Sequence, residues 1–237
     1  MKNPYKKVIT DDGSPTFSYL NKELMHHKKG AFLETVHTYL PILFDLSKFH
    51  LPFKLTNVGL GLAYIEILCM AYFIKYKIEN TPFILYSYES NLFLKDSFQK
   101  YCHRKLESSE MLDIYDGIVF KSAQYFCISE SSIKDLLKSV INNKIILKSS
   151  FTLKSVNNDT SHGVFFDAFS RKTTQELWHE DCLNNLLSFN ISDKKCIFSS
   201  YAKNSLLKAA LKKEGFIDIE KPGFQKRHCT YALRGLK

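Results

Sequence analysis

The sequence predicts an α/β fold: a doubly wound, mostly parallel sheet with an antiparallel edge strand. Three observations carry that reading. Apolar runs of strand length recur at 51–58, 83–88, 144–148, 164–166, 195–200, 217–219 and 229–233, and short runs of this kind read as buried strands. Segments with apolar residues at helical spacing separate most of them, the alternation that a parallel sheet needs for its crossovers. The last two runs are joined by a basic link through Pro222-Gly223 rather than by a helix, so they return antiparallel.

At 237 residues the chain suits a single domain, 1–237, with 51–237 as the sheet core and 1–50 as an N-terminal extension. Hydrophobic residues make up 45%, with 19 Phe and 13 Tyr to fill the core. Lys and Arg outnumber Asp and Glu by 33 to 24, a net charge of +9. That surplus suits a polyanionic partner, nucleic acid or an acidic membrane face, and equally a solvated lysine-rich surface. Six cysteines, at 69, 102, 127, 182, 196 and 229, contain no C-x-x-C pair. Cys69, Cys127 and Cys196 lie in apolar runs and read as small hydrophobes of a reduced, cytoplasmic protein. The histidines form no ligand pattern, so no metal is expected. The polar N-terminus has no apolar leader. The most apolar helix candidate, 62–78, carries Glu66 and Lys75 and is too short to span a bilayer.

Along the chain, residues 1–20 read as loop, with Asp11-Asp12-Gly13-Ser14-Pro15-Thr16 a dense turn signature. Lys28-Lys29-Gly30 punctuates the chain before 31–40, where apolar residues at 32, 33, 36, 39 and 40 predict a helix. Glu34 falls on a different face from Phe32 and Val36 and reads as an exposed helix acid. Strand 51–58, the turn Gly59-Leu60-Gly61 and helix 62–78 make a first βα unit. Helices are predicted over 91–106 and through the polar stretch 107–143. After the strand ending at Phe166, a polar loop at 170–175 gives way to a helix carrying Trp178, Leu183, Leu186 and Leu187. A last amphipathic helix, 205–213, is closed by Glu214-Gly215.

Ligands of open α/β sheets sit beyond the carboxyl ends of the strands, and three features fall there. Gly59 and Gly61 let the backbone approach a ligand closely, while the following helix offers free N–H donors; tight strand–helix packing explains the same glycines. Glu89 ends the second strand 28 residues after Gly61, near the spacing of an acid that holds ribose hydroxyls. Asp167 stops the central strand abruptly, as a catalytic acid or as a simple cap of the strand or the next helix.

These features recur together in a known family. The chain resembles the methyltransferase part of the MnmC family, which acts on tRNA 5-aminomethyl-2-thiouridine. The match includes Asp12-Gly13-Ser14-Pro15-Thr16, Gly30-Ala31-x-x-Glu34-Thr35, the glycine turn at 59–61 and Glu89. It is strongest from Phe166-Asp167-Ala168-Phe169-Ser170 through Leu177-Trp178 and in the tail. There Ser200-Tyr201-Ala202, Lys208-Ala209-Ala210-Leu211, Glu214-Gly215-Phe216 and Lys221-Pro222-Gly223-Phe224-x-Lys226-Arg227 follow the family's order and spacing.

The resemblance implies a class I methyltransferase sheet of seven strands, one antiparallel, with S-adenosylmethionine as cofactor. It assigns Gly59 and Gly61 to the methionine moiety, Glu89 to the ribose, and Asn57, Ser149 and Phe169 to the rest of the cofactor site. Asp167 becomes the catalytic acid facing the substrate amine. Glu34, Trp178, Lys226 and Arg227 would bind substrate, and Lys221, Lys226, Arg227 and His228 would hold the tRNA backbone, although a solvated hairpin explains that cluster too. The N-terminal extension would pack near the active site. The FAD-dependent oxidoreductase domain fused to some members is not in this sequence, so the expectation is a stand-alone, monomeric enzyme with no membrane association, an oxidoreductase of the same pathway being a separate protein.

The chain also departs from the family pattern. Asn57 stands where an acid usually precedes the turn, Ala63 replaces its third glycine, and Tyr64-Ile65-Glu66 replaces an asparagine-bearing segment. Lys148-Ser149-Ser150 stands for Gly-Asp-Ala, and the loop 170–174 lacks its proline. Asn57 and Ser149 can still hydrogen-bond, but without a charge to strengthen the contact. A second expectation therefore stays open: a degenerate relative that keeps the fold as an RNA- or partner-binding module. A methyltransferase with another substrate is a third.

Overall fold

The computed structural model describes residues 5–19, 23–46, 49, 52–107, 109–152, 161–169, 173–189, 195–226 and 228–236. The chain opens with a three-stranded antiparallel sheet, β1 (Tyr5–Ile9), β2 (Pro15–Tyr19) and β3 (Glu23–Leu24). Residues 1–20 were expected to be loop, and this corrects that reading. The turn signature at 11–16 is real, but five-residue strands carrying Lys6 and Lys7 show too little alternation to be seen by pattern alone. They are held from outside: Tyr64 donates its hydroxyl to the Pro15 carbonyl at 2.5 Å, and Lys121 donates to the Asp12 carbonyl at 2.6 Å.

That turn then starts the next element. Helix α1 (Ala31–Asp45) has no cap from its own N-cap residue, Gly30. Its first free N–H groups go instead to Thr10 Oγ1 (from Ala31), Ser14 Oγ (from Phe32) and Asp12 Oδ2 (from Leu33), which satisfies donors that a helix leaves unpaired. Gly30 is required because a Cβ there would lie 2.5 Å from Asp12 Oδ2. The helix also runs past the expected end at residue 40, through Pro41. Proline removes the N–H that would bond the carbonyl four residues earlier, and Lys221 Nζ donates to that His37 carbonyl at 2.6 Å.

The remaining elements follow the predicted alternation: β4 (Phe53–Val58), α2 (Tyr64–Lys75), β5 (Phe83–Tyr88), α3 (Leu92–Cys102), α4 (Glu110–Phe126), α5 (Glu130–Val140), β6 (Ile145–Lys148), β7 (Gly163–Phe166), α6 (Glu180–Phe189), β8 (Cys196–Ser200), α7 (Ser205–Lys213), β9 (Ile217–Asp218) and β10 (Thr230–Arg234). The polar stretch 107–143 becomes α4 and α5, N-capped by Ser109 and Ser129. Trp178 closes a 3₁₀ turn, Gln175–Trp178, ahead of α6 rather than riding on it.

The main sheet has the order β6-β5-β4-β7-β8-β10-β9. Strands β4 to β8 pair in parallel, and β10 runs antiparallel between β8 and the two-residue β9. Strand alternation divides the interior in two. Leu55, Leu85, Phe165 and Ile197 pack with α1 to α5, while Val58, Val164, Phe166 and Phe198 pack with α6 and α7. Both faces of the central strands are thus covered, which is why they read as unbroken apolar runs. All six cysteines are free thiols; Cys127, expected in the core, is exposed at the left-handed C-terminus of α4. The described residues contain no helix long and apolar enough to cross a membrane, and no cluster of metal-ligating side chains.

Candidate active site

The chain fills β5 and β6 on one side of β4 before crossing to β7 on the other, so the sheet switches direction between β4 and β7, where such folds open a crevice. A cavity of about 530 Å³ lies there. Segments following all five parallel strands reach it: Gly59 and Gly61 after β4, Glu89 after β5, Ser150 after β6, Asp167 after β7 and Tyr201 after β8. Met25 and His26 enter from the N-terminal segment, and 173–177 complete the wall.

The glycine turn is built by close approach. Gly59 has φ 108°, and a Cβ there would lie 2.4 Å from the Asp167 carbonyl oxygen, so only glycine lets the turn touch the end of β7. Gly59 and Leu60 both donate their N–H to the Tyr88 carbonyl, at 3.1 and 3.0 Å. Gly61 has φ 52°, and a Cβ on it would meet nothing within 4 Å; its bare backbone borders the cavity. The Gly61 N–H donates to Glu89 Oε2 at 2.9 Å, and the Asn91 N–H donates to Glu89 Oε1 at 2.7 Å. Glu89 is thereby pinned, with acceptor capacity left for a further donor. Burial raises its carboxyl above the usual range, against those N–H donors.

Asp167 continues the β7 ladder, donating its N–H to the Val58 carbonyl at 2.9 Å. Tyr39, on α1, donates its hydroxyl to Asp167 Oδ1 at 2.6 Å and sets its ring edge-on to Phe165. Burial drives the Asp167 carboxyl well above the usual range; the Tyr39 hydrogen bond opposes this, while the charges of Glu34 and Glu66 add to it. Burial also raises the Tyr39 phenol, and the neighbouring Asp167 acts in the same direction.

The other expected site residues divide. Gly59, Gly61, Glu89, Asp167 and Phe169 border one cavity. Asn57 does not: it is fully buried and donates through Nδ2 to Glu66 Oε1 at 2.7 Å. Ser149 is exposed, and Ser150 and Phe151 line the wall in its place. Trp178 is buried edge-on against Phe166 and donates its indole N–H to the Phe169 carbonyl at 2.7 Å, supporting the wall from behind. Glu34 was expected to be exposed and is buried instead, its Oε2 accepting the His27 N–H at 2.6 Å, because the chain before the helix folds back over its first turn. Lys221 is partly buried and committed to the His37 carbonyl and the Tyr231 ring, which removes it from the expected basic cluster. The Lys226 side chain and Arg227 lie outside the described residues.

Two residues of the site had no signal in the sequence. Tyr39 fell within the helical pattern as an apolar position. His26 was read only as half of an adjacent pair unsuited to metal. It lines the cavity, shares a 2.9 Å hydrogen bond with Thr16 Oγ1, and meets the Tyr64 ring edge-on at 4.7 Å. Burial pulls its imidazole down to about 4, so it is neutral at physiological pH.

Residues 135–235 match the model of a family described as S-adenosyl-L-methionine-dependent methyltransferase. Among solved structures, MnmC2 from Aquifex aeolicus is similar at a TM-score of 0.68 and 20% identity, over 98% of this chain and 70% of that one. Spermidine synthase from Thermotoga maritima is similar at a TM-score of 0.53 and 9% identity, over 97% and 68%. No curated protein matches the sequence. The fold is that of the class I methyltransferases, whose matching family uses S-adenosyl-L-methionine. Within that class the fold resembles that of MnmC2 over nearly the whole chain. The open face of Gly61 and the pinned Glu89 carboxylate fit such a cofactor, one leaving room for an extended body and the other offering acceptors for vicinal hydroxyls.

Proposed function

We propose that the chain is an S-adenosyl-L-methionine-dependent N-methyltransferase of the cytoplasm. Its substrate would be the aminomethyl group of wobble 5-aminomethyl-2-thiouridine in tRNA, with Asp167 as the acid–base group. The observation that carries the reading is the partly buried Asp167 carboxyl on the cavity wall, held by Tyr39 beside the glycine turn. The sequence motifs and the fold likeness to MnmC2 support the substrate class. The substrate's aminomethyl group would come from preceding reactions, that of an FAD-dependent oxidoreductase among them.

S-adenosyl-L-methionine supplies an electrophilic methyl group when bound. Gly59, Gly61 and Glu89 would hold it, and what remains for the chain is to present a neutral amine. A primary amine is mostly protonated at neutral pH and has no lone pair to offer. Burial disfavours the charged forms of both partners, raising the Asp167 carboxyl and lowering the amine. The two shifts converge on proton transfer from ammonium to carboxylate, which frees the lone pair where Asp167 can orient it. Tyr39 fixes the carboxyl by holding one oxygen, leaving the other for the amine. Positioning supplies much of the remaining acceleration in a displacement of this kind. The net charge of +9 suits a phosphate backbone.

Two measurements test the reading. Calorimetry with S-adenosyl-L-methionine should show binding that Glu89→Ala weakens. Incubation with cofactor and tRNA carrying the aminomethyl nucleoside, followed by nucleoside digestion, should yield the methylaminomethyl product. Cofactor binding without that product would assign another substrate. A well-folded protein that binds no cofactor would instead be an RNA- or partner-binding module.

A further inference from the structure

Helix α2 is buried along nearly its whole length and carries one acid in that buried stretch, Glu66. Glu66 Oε1 accepts two hydrogen bonds, from Asn57 Nδ2 at 2.7 Å and from Ser87 Oγ at 2.5 Å. Asn57 stands two residues before Gly59, and Ser87 two residues before Glu89. One side chain therefore ties together the ends of the two strands from which the glycine turn and Glu89 spring.

Two oxygens of this cluster remain. Glu66 Oε2 and Asn57 Oδ1 are both sealed from solvent, and neither has a hydrogen-bond partner. With Glu66 ionised, both are acceptors, and the fold would bury a charge and two orphaned oxygens at once, each a costly arrangement. A single proton on Oε2 resolves both. The acid's O–H can then donate to the amide oxygen while its other oxygen accepts the amide N–H, a cyclic acid–amide pair. The titratable groups that influence Glu66, or that it influences, are Glu89, Asp167, Cys69 on α2, Cys102 on α3 and Tyr115 on α4. None is a cation that would favour the carboxylate.

We propose that Glu66 is a positioning residue carried as the neutral acid, its proton closing a pair with Asn57 that fixes the glycine turn, so that ionising it loosens the turn and weakens cofactor binding. The consequence for cofactor rests on the S-adenosyl-L-methionine reading of the cavity; the protonation and its effect on the turn do not. Burial pushes the Glu66 carboxyl up to about 7, against the Ser87 and Asn57 hydrogen bonds. The native state thus holds a proton that the unfolded chain gives up, and stability falls as pH rises from the ordinary carboxylate value to about 7.

The test compares the wild type with Glu66→Gln, whose amide N–H₂ replaces the acid O–H while keeping every hydrogen bond of the neutral form. Amide resonances of Gly59, Leu60 and Gly61 in the cofactor-free protein should show a transition near neutrality in the wild type that the variant lacks, any shifts from Glu89 and Asp167 being common to both. The infrared signal of neutral carboxylic acids below the transition should lose one component in the variant, that of Glu66, while the component from Asp167 remains in both proteins. Cofactor affinity, measured by calorimetry, should fall with rising pH in the wild type alone, roughly tenfold for each unit by which binding holds the group above its free value. Turn resonances that ignore pH in the wild type, or that titrate identically in Glu66→Gln, would overturn the proposal. So would a Gln variant that fails to fold, since the amide reproduces the neutral pair. A wild type that binds no cofactor at any pH would remove the cofactor reading, while the resonances would still decide the role of Glu66.

Discussion

Asp167 is held in a state that costs the fold and, in the proposed mechanism, serves the chemistry. Its carboxyl is raised by burial, so the native state resists an ionisation that the unfolded chain undergoes freely. That contribution is favourable below the ordinary carboxylate value and is lost as pH rises toward the raised one. Asp167→Asn should therefore melt higher than the wild type at neutral pH, with the gap closing on acidification. The same variant should keep its cofactor affinity and lose tenfold or more in turnover, about the weight of one general base. Calorimetric melts and steady-state rates check the two halves separately, and unchanged turnover would remove Asp167 from the mechanism. Ala63 shows a strain of another kind. It adopts φ 60°, ψ 28° as the N-cap of α2, a conformation that glycine takes without penalty. Ala63→Gly should raise stability by about 1 kcal/mol if relief of that strain outweighs the freedom glycine gains on unfolding; a lower melting temperature would show that it does not. Asp167 and the glycines were visible in the sequence because each breaks an apolar run abruptly. Tyr39 and His26 were not, because a tyrosine on a helix's apolar stripe and a histidine in a loop show their function only through what they touch.

Elements with strong local patterns could be read directly. The strand at 83–88 and the helix at 205–213 match the structure at both ends, since each is an unbroken apolar or amphipathic run between clear stops. Others depend on distant partners. Helix α1 passes through Pro41 because Lys221, far along the chain, donates to the carbonyl that proline leaves free. No local rule could have anticipated that bond. Lys221→Met should leave the His37 carbonyl unsatisfied and cost about 1–3 kcal/mol, measurable by denaturant unfolding. The start of α1 is equally non-local, its first N–H groups being taken by Thr10, Asp12 and Ser14 of the N-terminal turn. Asp12→Ala should cost about 1–2 kcal/mol, as the loss of an N-cap does. Because α1 carries Tyr39, this change should also lower turnover by displacing the group that holds Asp167.

At the scale of the whole molecule, the surplus of nine positive charges had two readings, a phosphate-binding surface or simple solvation, and the fold separates them into measurable parts. Lys221 belongs to neither, since its ammonium is spent inside the protein on His37 and Tyr231. Burial lowers its affinity for a proton, as expected of a structural lysine. If the remaining cations hold tRNA, affinity should fall linearly in a log–log plot against salt, with a slope set by the number of phosphates neutralised. Lys226→Ala, in the cluster read from sequence, should then weaken binding and reduce the slope by about 1. Lys221→Met should leave the slope unchanged in protein that remains folded, although it costs stability. Filter-binding titrations at several salt concentrations distinguish the cases. A reduced slope in Lys221→Met would mean that this lysine leaves His37 to meet phosphate. A flat salt dependence in the wild type would identify the basic surface as solvated, and tRNA recognition would then have to come from the cavity itself.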